Sequence, residues 1–243
     1  MLNHPFWPFF EVLSTDLHTR PEIILAEICN GGPDYNVPDA VPGIEKWWDG
    51  ANSFRIANGM PCVYGTASDD AHYYDDERVG RFIGGLDCGF VVVHLPGHMT
   101  ANRIMRALKN GEFYASSGAY FDSIVMDYEH GILKVKVRKT PGAKKCHIRF
   151  NGTKRNFDRK IRTQFISCEE NHVFDRDVPI YSEDVGQILA EKDGWTAEYR
   201  LSPDDLYVRA TAVLDVPHGR QDALVDRIYP NCLTAWTQPM IPG

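Results

Sequence analysis

The chain has 243 residues, of which 43% are hydrophobic, and is therefore long enough to bury one large core or two ordinary ones. A formal charge of -7 without a concentrated Lys/Arg face argues against nucleic acid as the main partner. The sequence has no apolar stretch long enough for a membrane span and no signal-peptide pattern at its start, and its six cysteines are scattered. We therefore expect a cytoplasmic protein with reduced thiols.

The first part of the chain alternates short apolar strands with helical or loop segments, a pattern typical of a βα layout with a parallel sheet. A helix beginning at Pro21-Glu22 is expected to be short, and Thr100 and Gly111 are the expected cap and stop of a longer one. The predicted strands are residues 2–6, 25–29, 62–67 and 90–95, and the other predicted helices are residues 41–52 and 100–110.

The pattern changes near residue 118. Beyond it, residues 132–138, 146–150 and 206–213 alternate apolar with polar side chains, and turn residues separate them. Antiparallel strands with one face exposed to water have this pattern. We therefore predict two domains, an α/β domain over residues 1–118 and an all-β antiparallel sandwich over residues 119–243.

Asp70 and His72 stand two residues apart after the apolar run that begins at Cys62. Side chains on a strand alternate faces with a period of two, so the carboxylate and the imidazole are expected to point the same way. His4, followed by Pro5, can supply a third ligand from another strand end. Because carboxylate oxygen and imidazole nitrogen suit zinc, manganese or iron, the three residues predict a hydrolytic metal site.

Four further residues are candidates for supporting roles. Glu27 lies at a strand end, where it can reach the site or hydrogen-bond a ligand histidine, although a structural hydrogen bond is the simpler interpretation. Asp69 is expected to face away from Asp70 and to cap the loop rather than to act in catalysis. Arg78 and Arg81 follow the predicted metal strand, where a guanidinium can hold a phosphate group through two hydrogen bonds.

Four motifs, in this order and spacing, resemble the PHP (polymerase and histidinol phosphatase) superfamily of metal-dependent phosphoesterases. They are Asn3-His4-Pro5, the strand Ala26-Glu27-Ile28-Cys29-Asn30-Gly31, the run from Tyr64 to His72, and Gly111-Glu112-Phe113-Tyr114-Ala115-Ser116-Ser117-Gly118. The resemblance covers residues 1 to about 118 and extends weakly into the second half.

The resemblance implies the C-terminal half of a (β/α)7 barrel, with His4, Asp70 and His72 as direct ligands of zinc, manganese or iron ions. It also implies hydrolysis of a small phosphorylated substrate by metal-activated water. Members of the family open with a His-x-His strand and carry further ligands that this sequence does not contain. We therefore expect the phosphoesterase site to be incomplete in this chain and to need a complementing N-terminal segment.

A non-catalytic binding or assembly module is the alternative interpretation. In it, the predicted β-sandwich would recognise a carbohydrate or protein partner through Trp195, Tyr207 and Trp236, although such aromatic residues mostly belong to sandwich cores. A half-barrel with an open sheet edge would also favour self-association.

Overall fold

The computed structural model describes residues 1–5, 12–31, 42–71, 88–167, 176–217 and 232–242. Its helices are a short 3₁₀ helix (Ser14–Thr19), α1 (Ile44–Ala57) and α2 (Ala101–Asn110). Its strands are β1 (Leu25–Asn30), β2 (Tyr64–Ser68), β3 (Phe90–Val93), β4 (Phe113–Ser116), β5 (Phe121–Asp127), β6 (Ile132–Val137), β7 (Cys146–Lys154), β8 (Arg162–Ile166), β9 (Arg176–Ile180), β10 (Gln187–Asp193), β11 (Thr196–Arg200), β12 (Asp205–Pro217) and β13 (Cys232–Trp236). The described chain is thus rich in β-structure with several antiparallel sheets, as predicted for its second half.

A small parallel layer begins the chain. β1 and β2 pair in parallel, and Leu2 forms a parallel bridge to Ala26 on the other side of β1. The Leu2 amide donates to the Leu25 carbonyl at 2.8 Å, which continues the parallel arrangement towards the N-terminus. Trp47 and Trp48 of α1 pack into the core beneath this layer. The parallel layer therefore has β1 in the middle, with the Leu2 bridge on one side and β2 on the other.

β3 forms where a strand was predicted, but its direction differs from the prediction. It pairs antiparallel with β4, with Phe90 opposite Ser116 and Val93 opposite Phe113, and so belongs to the six-stranded sheet β10-β7-β12-β13-β4-β3. A parallel crossover needs a helix that covers a sheet face. α2 lies between β3 and β4 and buries only Ala107, so it does not cover a face of the sheet as a crossover helix would.

Two antiparallel sheets face each other across one core. The second is the three-stranded sheet β11-β6-β5, and its buried Leu133 and Val135 pack in the same cluster as Ile148 of β7 and Ala210 of β12. The six-stranded sheet takes β3 and β4 from before residue 118 and its other strands from after it. The domain boundary near residue 118 remains a prediction.

β12 presents its alternate side chains to α1 on the opposite face of the six-stranded sheet. Arg209, fully buried, donates from Nε and Nη2 to the two carboxylate oxygens of Asp49, at 2.9 and 2.7 Å, and from Nη2 to Glu45 at 2.9 Å. Tyr207 donates to Asp49 at 2.8 Å and Trp236 donates to Glu45 at 3.0 Å. Burial opposes the charge of Arg209, but Asp49 and Glu45 outweigh it and raise its pKa.

The predicted helices agree with the structure in part. Residues 41–52 correspond to α1, which begins at Ile44 and continues to Ala57. α2 begins after Thr100, whose hydroxyl accepts from the Arg103 amide, and ends at Gly111 with a left-handed φ of 73°, as predicted. The helix expected at Pro21-Glu22 is wrong, because those residues form a turn before β1 and the short helix lies earlier.

The structure also bears on the predicted barrel and on membrane-spanning helices. The described residues do not form a (β/α)7 barrel, and at Gly65 the outer edge of β2 is occupied by the side chain of Gln238 rather than by another strand. Within the described ranges, none of the helices has the length and apolar composition that crossing a membrane requires.

Candidate functional site

The predicted ligands His4 and Asp70 follow the Leu2 bridge and strand β2, which lie on either side of β1. His4 comes two residues after Leu2, and Asp70 comes two residues after the last residue of β2. Because parallel strands end at the same edge of a sheet, the two positions flank the end of β1 at one edge. Active sites of open parallel sheets lie at this edge.

His4 and Asp70 also share an unusual backbone conformation. Their φ angles are 30° and 50°, and they are the two non-glycine residues with positive φ in the described parts of the chain. Residues other than glycine rarely adopt this left-handed backbone region. Those that do are often found at functional sites, where the surrounding structure holds them in place. The two predicted ligands are therefore held in constrained positions at the same sheet edge.

Glu27, the predicted supporting residue, lies between these two positions. Its side chain is 1% exposed, and its Oε2 accepts from the backbone amide of His4 at 2.6 Å and from Nδ2 of Asn30 at 2.9 Å. Its Oε1 accepts from the hydroxyl of Ser68, the last residue of β2, at 2.5 Å. Glu27 lies within β1, three residues before its end rather than at the end as predicted, and its carboxylate contacts both the segment after Leu2 and the end of β2.

Asp69 connects the end of β2 to the segment before β3. Its Oδ1 accepts from the backbone amide of Gly89 at 2.9 Å, which fixes the chain before β3 against the end of β2. A Cβ atom on Gly31 would lie 2.0 Å from the Asp69 carbonyl oxygen, and one on Gly89 would lie 2.5 Å from the Ser68 carbonyl oxygen. Two glycines therefore let neighbouring backbone approach the segment that leads into Asp70.

Asn30, Ser68 and the two close glycines were not predicted as parts of this site. Residues three apart on a regular strand face opposite sides, so the spacing of Glu27 and Asn30 does not suggest a contact. The register of β1 against β2 shifts between Glu27 and Cys29, and this bulge brings the two side chains together. The bulge has no clear sequence signal.

The donor types of the described residues suit a divalent ion. Imidazole nitrogen and carboxylate oxygen are ligands that zinc, manganese and iron accept. In the part of the chain that the structure describes, no three His, Cys, Asp or Glu side chains come close enough together to hold an ion. His72, the third predicted ligand, lies outside the described residues, as do Arg78 and Arg81. Of the three predicted donors, the structure thus describes His4 and Asp70, at the same edge of the parallel layer.

A separate cavity of about 340 Å³ opens at the other end of β2. Gly111 lines it and lies against the ring of Tyr64, the first residue of β2, whereas Asp70 follows the last. The predicted ligands do not line this cavity. Its walls combine apolar side chains, such as Val92, Phe121 and Met240, with polar ones, such as His94, Asp122 and Gln238.

The aromatic face suggested for a binding module does not form as one surface. Tyr207 and Trp236 are fully buried, the former against Asp49 and the latter against Glu45. Trp195 is partly buried in the core between the two antiparallel sheets. These three residues therefore stabilise the interior.

Comparison with known proteins gives no relative from which a role could be transferred. No protein-family model, curated protein or solved structure matches the chain.

Proposed function

We propose that the edge formed by His4, Glu27 and Asp70 belongs to the metal site of a metal-dependent phosphoesterase. The observation that carries the proposal is that both predicted ligands have left-handed backbone conformations at the ends of runs that flank β1. The resemblance of residues 1 to about 118 to PHP phosphoesterases supports the same conclusion. A partial (β/α)7 barrel, of which Leu2, β1 and β2 would be the described part, is included in the proposal.

Each residue has a distinct role in this proposal. The imidazole of His4 and the carboxylate of Asp70 are ligands, and His72 is the third. A bound divalent ion would lower the pKa of water to about 7 and neutralise charge on a phosphoryl group. Arg78 and Arg81 are proposed to hold the phosphate of a small phosphate ester.

The proposal is tested by measuring the metal content of the purified chain by plasma mass spectrometry, without chelator in any buffer. We expect zinc, manganese or iron in the wild-type protein, and a loss of that metal in His4→Ala and Asp70→Ala. His130→Ala and Asp127→Ala are matched controls, because these residues contact each other where β5 ends and the turn to β6 begins. A metal-free but folded wild-type protein would refute the metal site.

Hydrolysis is tested separately with a chromogenic aryl phosphate and with added Mn²⁺ or Zn²⁺. We expect any hydrolysis to require the ion and to disappear in Asp70→Ala. Activity that persists in that variant would refute the role given to Asp70.

A further inference from the structure

Glu27 is a buried carboxylate with neutral partners. Its three hydrogen bonds come from a backbone amide, an amide side chain and a hydroxyl group. In the described chain no Lys or Arg forms an ion pair with it. A buried carboxylate is unfavourable unless hydrogen bonds compensate it. Here the compensating donors come from three separate points of the chain, so the geometry of these bonds is what Glu27 contributes.

The bonds of Glu27 reach His4, one of the two residues with positive φ, and the end of β2, which leads to the other. The amide that donates to Oε2 is that of His4 itself, whose φ is 30°. The hydroxyl that donates to Oε1 belongs to Ser68, two residues before Asp70. His4 is 23 residues from Glu27 and Ser68 is 41, so the carboxylate joins segments that are distant in sequence.

We infer that Glu27 is a positioning residue, whose hydrogen bonds hold His4 and the chain leading to Asp70 in the arrangement that binds the metal ion. This inference rests on the proposed function. In this inference Glu27 acts through the two ligands and is not itself a ligand, and its oxygens accept from the His4 amide, Asn30 and Ser68.

The test measures the dissociation constants of Mn²⁺ and Zn²⁺, each titrated separately into the full chain. Outer residues that orient ligands typically change metal affinity about 10- to 100-fold when removed. We expect a loss of that size in Glu27→Ala. Glu27→Gln is expected to stay close to wild type, because its oxygen can accept from His4 and Asn30 while its NH₂ donates to Ser68. Glu129→Ala, at an exposed turn, is the matched control and should bind normally.

The outcomes separate this inference from the proposed function. If the wild-type chain binds neither ion, both are overturned. If the wild type binds and Glu27→Ala binds equally well, only the positioning role is overturned. An equal loss in Glu27→Gln and Glu27→Ala would also overturn it, since charge rather than hydrogen bonding would then be responsible.

A second variant guards against a failure to fold. Circular dichroism and urea unfolding identify variants that have lost their structure. If Glu27→Ala is unfolded, Ser68→Ala removes only the bond to Oε1, and we expect a smaller but measurable loss of affinity. Wild-type affinity in a folded Ser68→Ala would count against the inference.

Discussion

The side chain of Gln238 pairs with the backbone of Gly65 as a neighbouring strand would. Its Oε1 accepts from the Gly65 amide at 2.8 Å, and its Nε2 donates to the Gly65 carbonyl at 2.9 Å. Gly65 has no room for a side chain, because a Cβ atom there would lie 2.6 Å from Ile28. The buried edge of β2 is thus satisfied by a residue 173 positions away in the sequence.

We expect Gln238→Ala to destabilise the protein by about 2 to 4 kcal/mol, since it leaves two buried backbone groups without their partner. The free energy of unfolding in urea measures the effect. Gln164→Ala, at an exposed position of β8, is the matched control and should change stability by about 0.5 kcal/mol or less. Equal values for the two variants would show that the Gly65 pairing contributes nothing.

Arg209→Met is expected to cost about 3 to 5 kcal/mol of stability, because it leaves Asp49 buried without its opposite charge. Urea unfolding checks this value, with Arg106→Met on the exposed side of α2 as the control. A small effect at Arg209 would mean that the surrounding side chains or water take over the bonds to Asp49.

His18 makes stability depend on pH. It stacks on Phe54 with ring centroids 4.5 Å apart, and burial lowers its pKa despite the hydrogen bond to the Gly50 carbonyl. The unfolded chain, with a histidine pKa of about 6.5, therefore takes up a proton more readily than the folded chain. The stabilising contribution of neutral His18 is therefore fully present above about pH 6.5. It is lost as the pH falls from there through the lower pKa that His18 has in the folded protein.

We expect the unfolding free energy to fall between pH 7.5 and 5.5, by at most about 1.4 kcal/mol per pH unit for this one proton. His18→Phe should flatten the dependence, whereas His98→Phe, at an exposed loop position, should not. An unchanged pH dependence in His18→Phe would contradict the prediction.

Gly31→Ala is expected to disturb the segment that leads into Asp70. The added Cβ would lie 2.0 Å from the Asp69 carbonyl oxygen and 2.8 Å from its Cα, and backbone at such distances has to move. We expect a loss of about 1 to 3 kcal/mol in urea unfolding. Gly43→Ala is the control, since nothing lies within 4 Å of its added Cβ. If both variants are equally stable, the approach to Asp69 is not tight.

The sequence was informative where structure depends on near neighbours. Thr100 and Gly111 define α2 through bonds within a few residues, and both were predicted. The alternation in residues 132–138 identified β6. The same alternation predicted one water-exposed face for β12, and this was wrong, because Tyr207 and Arg209 on its polar side are buried against α1. His4 and Asp70 were proposed as ligands from residue type and position, and that role stays a prediction.

Long-range partners could not be predicted in the same way. The antiparallel direction of β3 is set by its pairing with β4, and the pairing of Gln238 with Gly65 has no local pattern. The role of Glu27 depends on a bulge in β1 and on two segments that fold against it. Residue types suggested the chemistry of the site, but the hydrogen bonds that arrange it arise from tertiary structure.

β12 contacts a different layer of the protein on each of its two faces. Its residues Tyr207 and Arg209 bind the helix side, while Val208 and Ala210 fill the core between the two sheets. Removing either α1 or the three-stranded sheet would expose one face of β12. We therefore expect α1, β12 and the three-stranded sheet to unfold as one cooperative unit. Amide hydrogen exchange in α1 and in β6 should then respond together when the protein is destabilised.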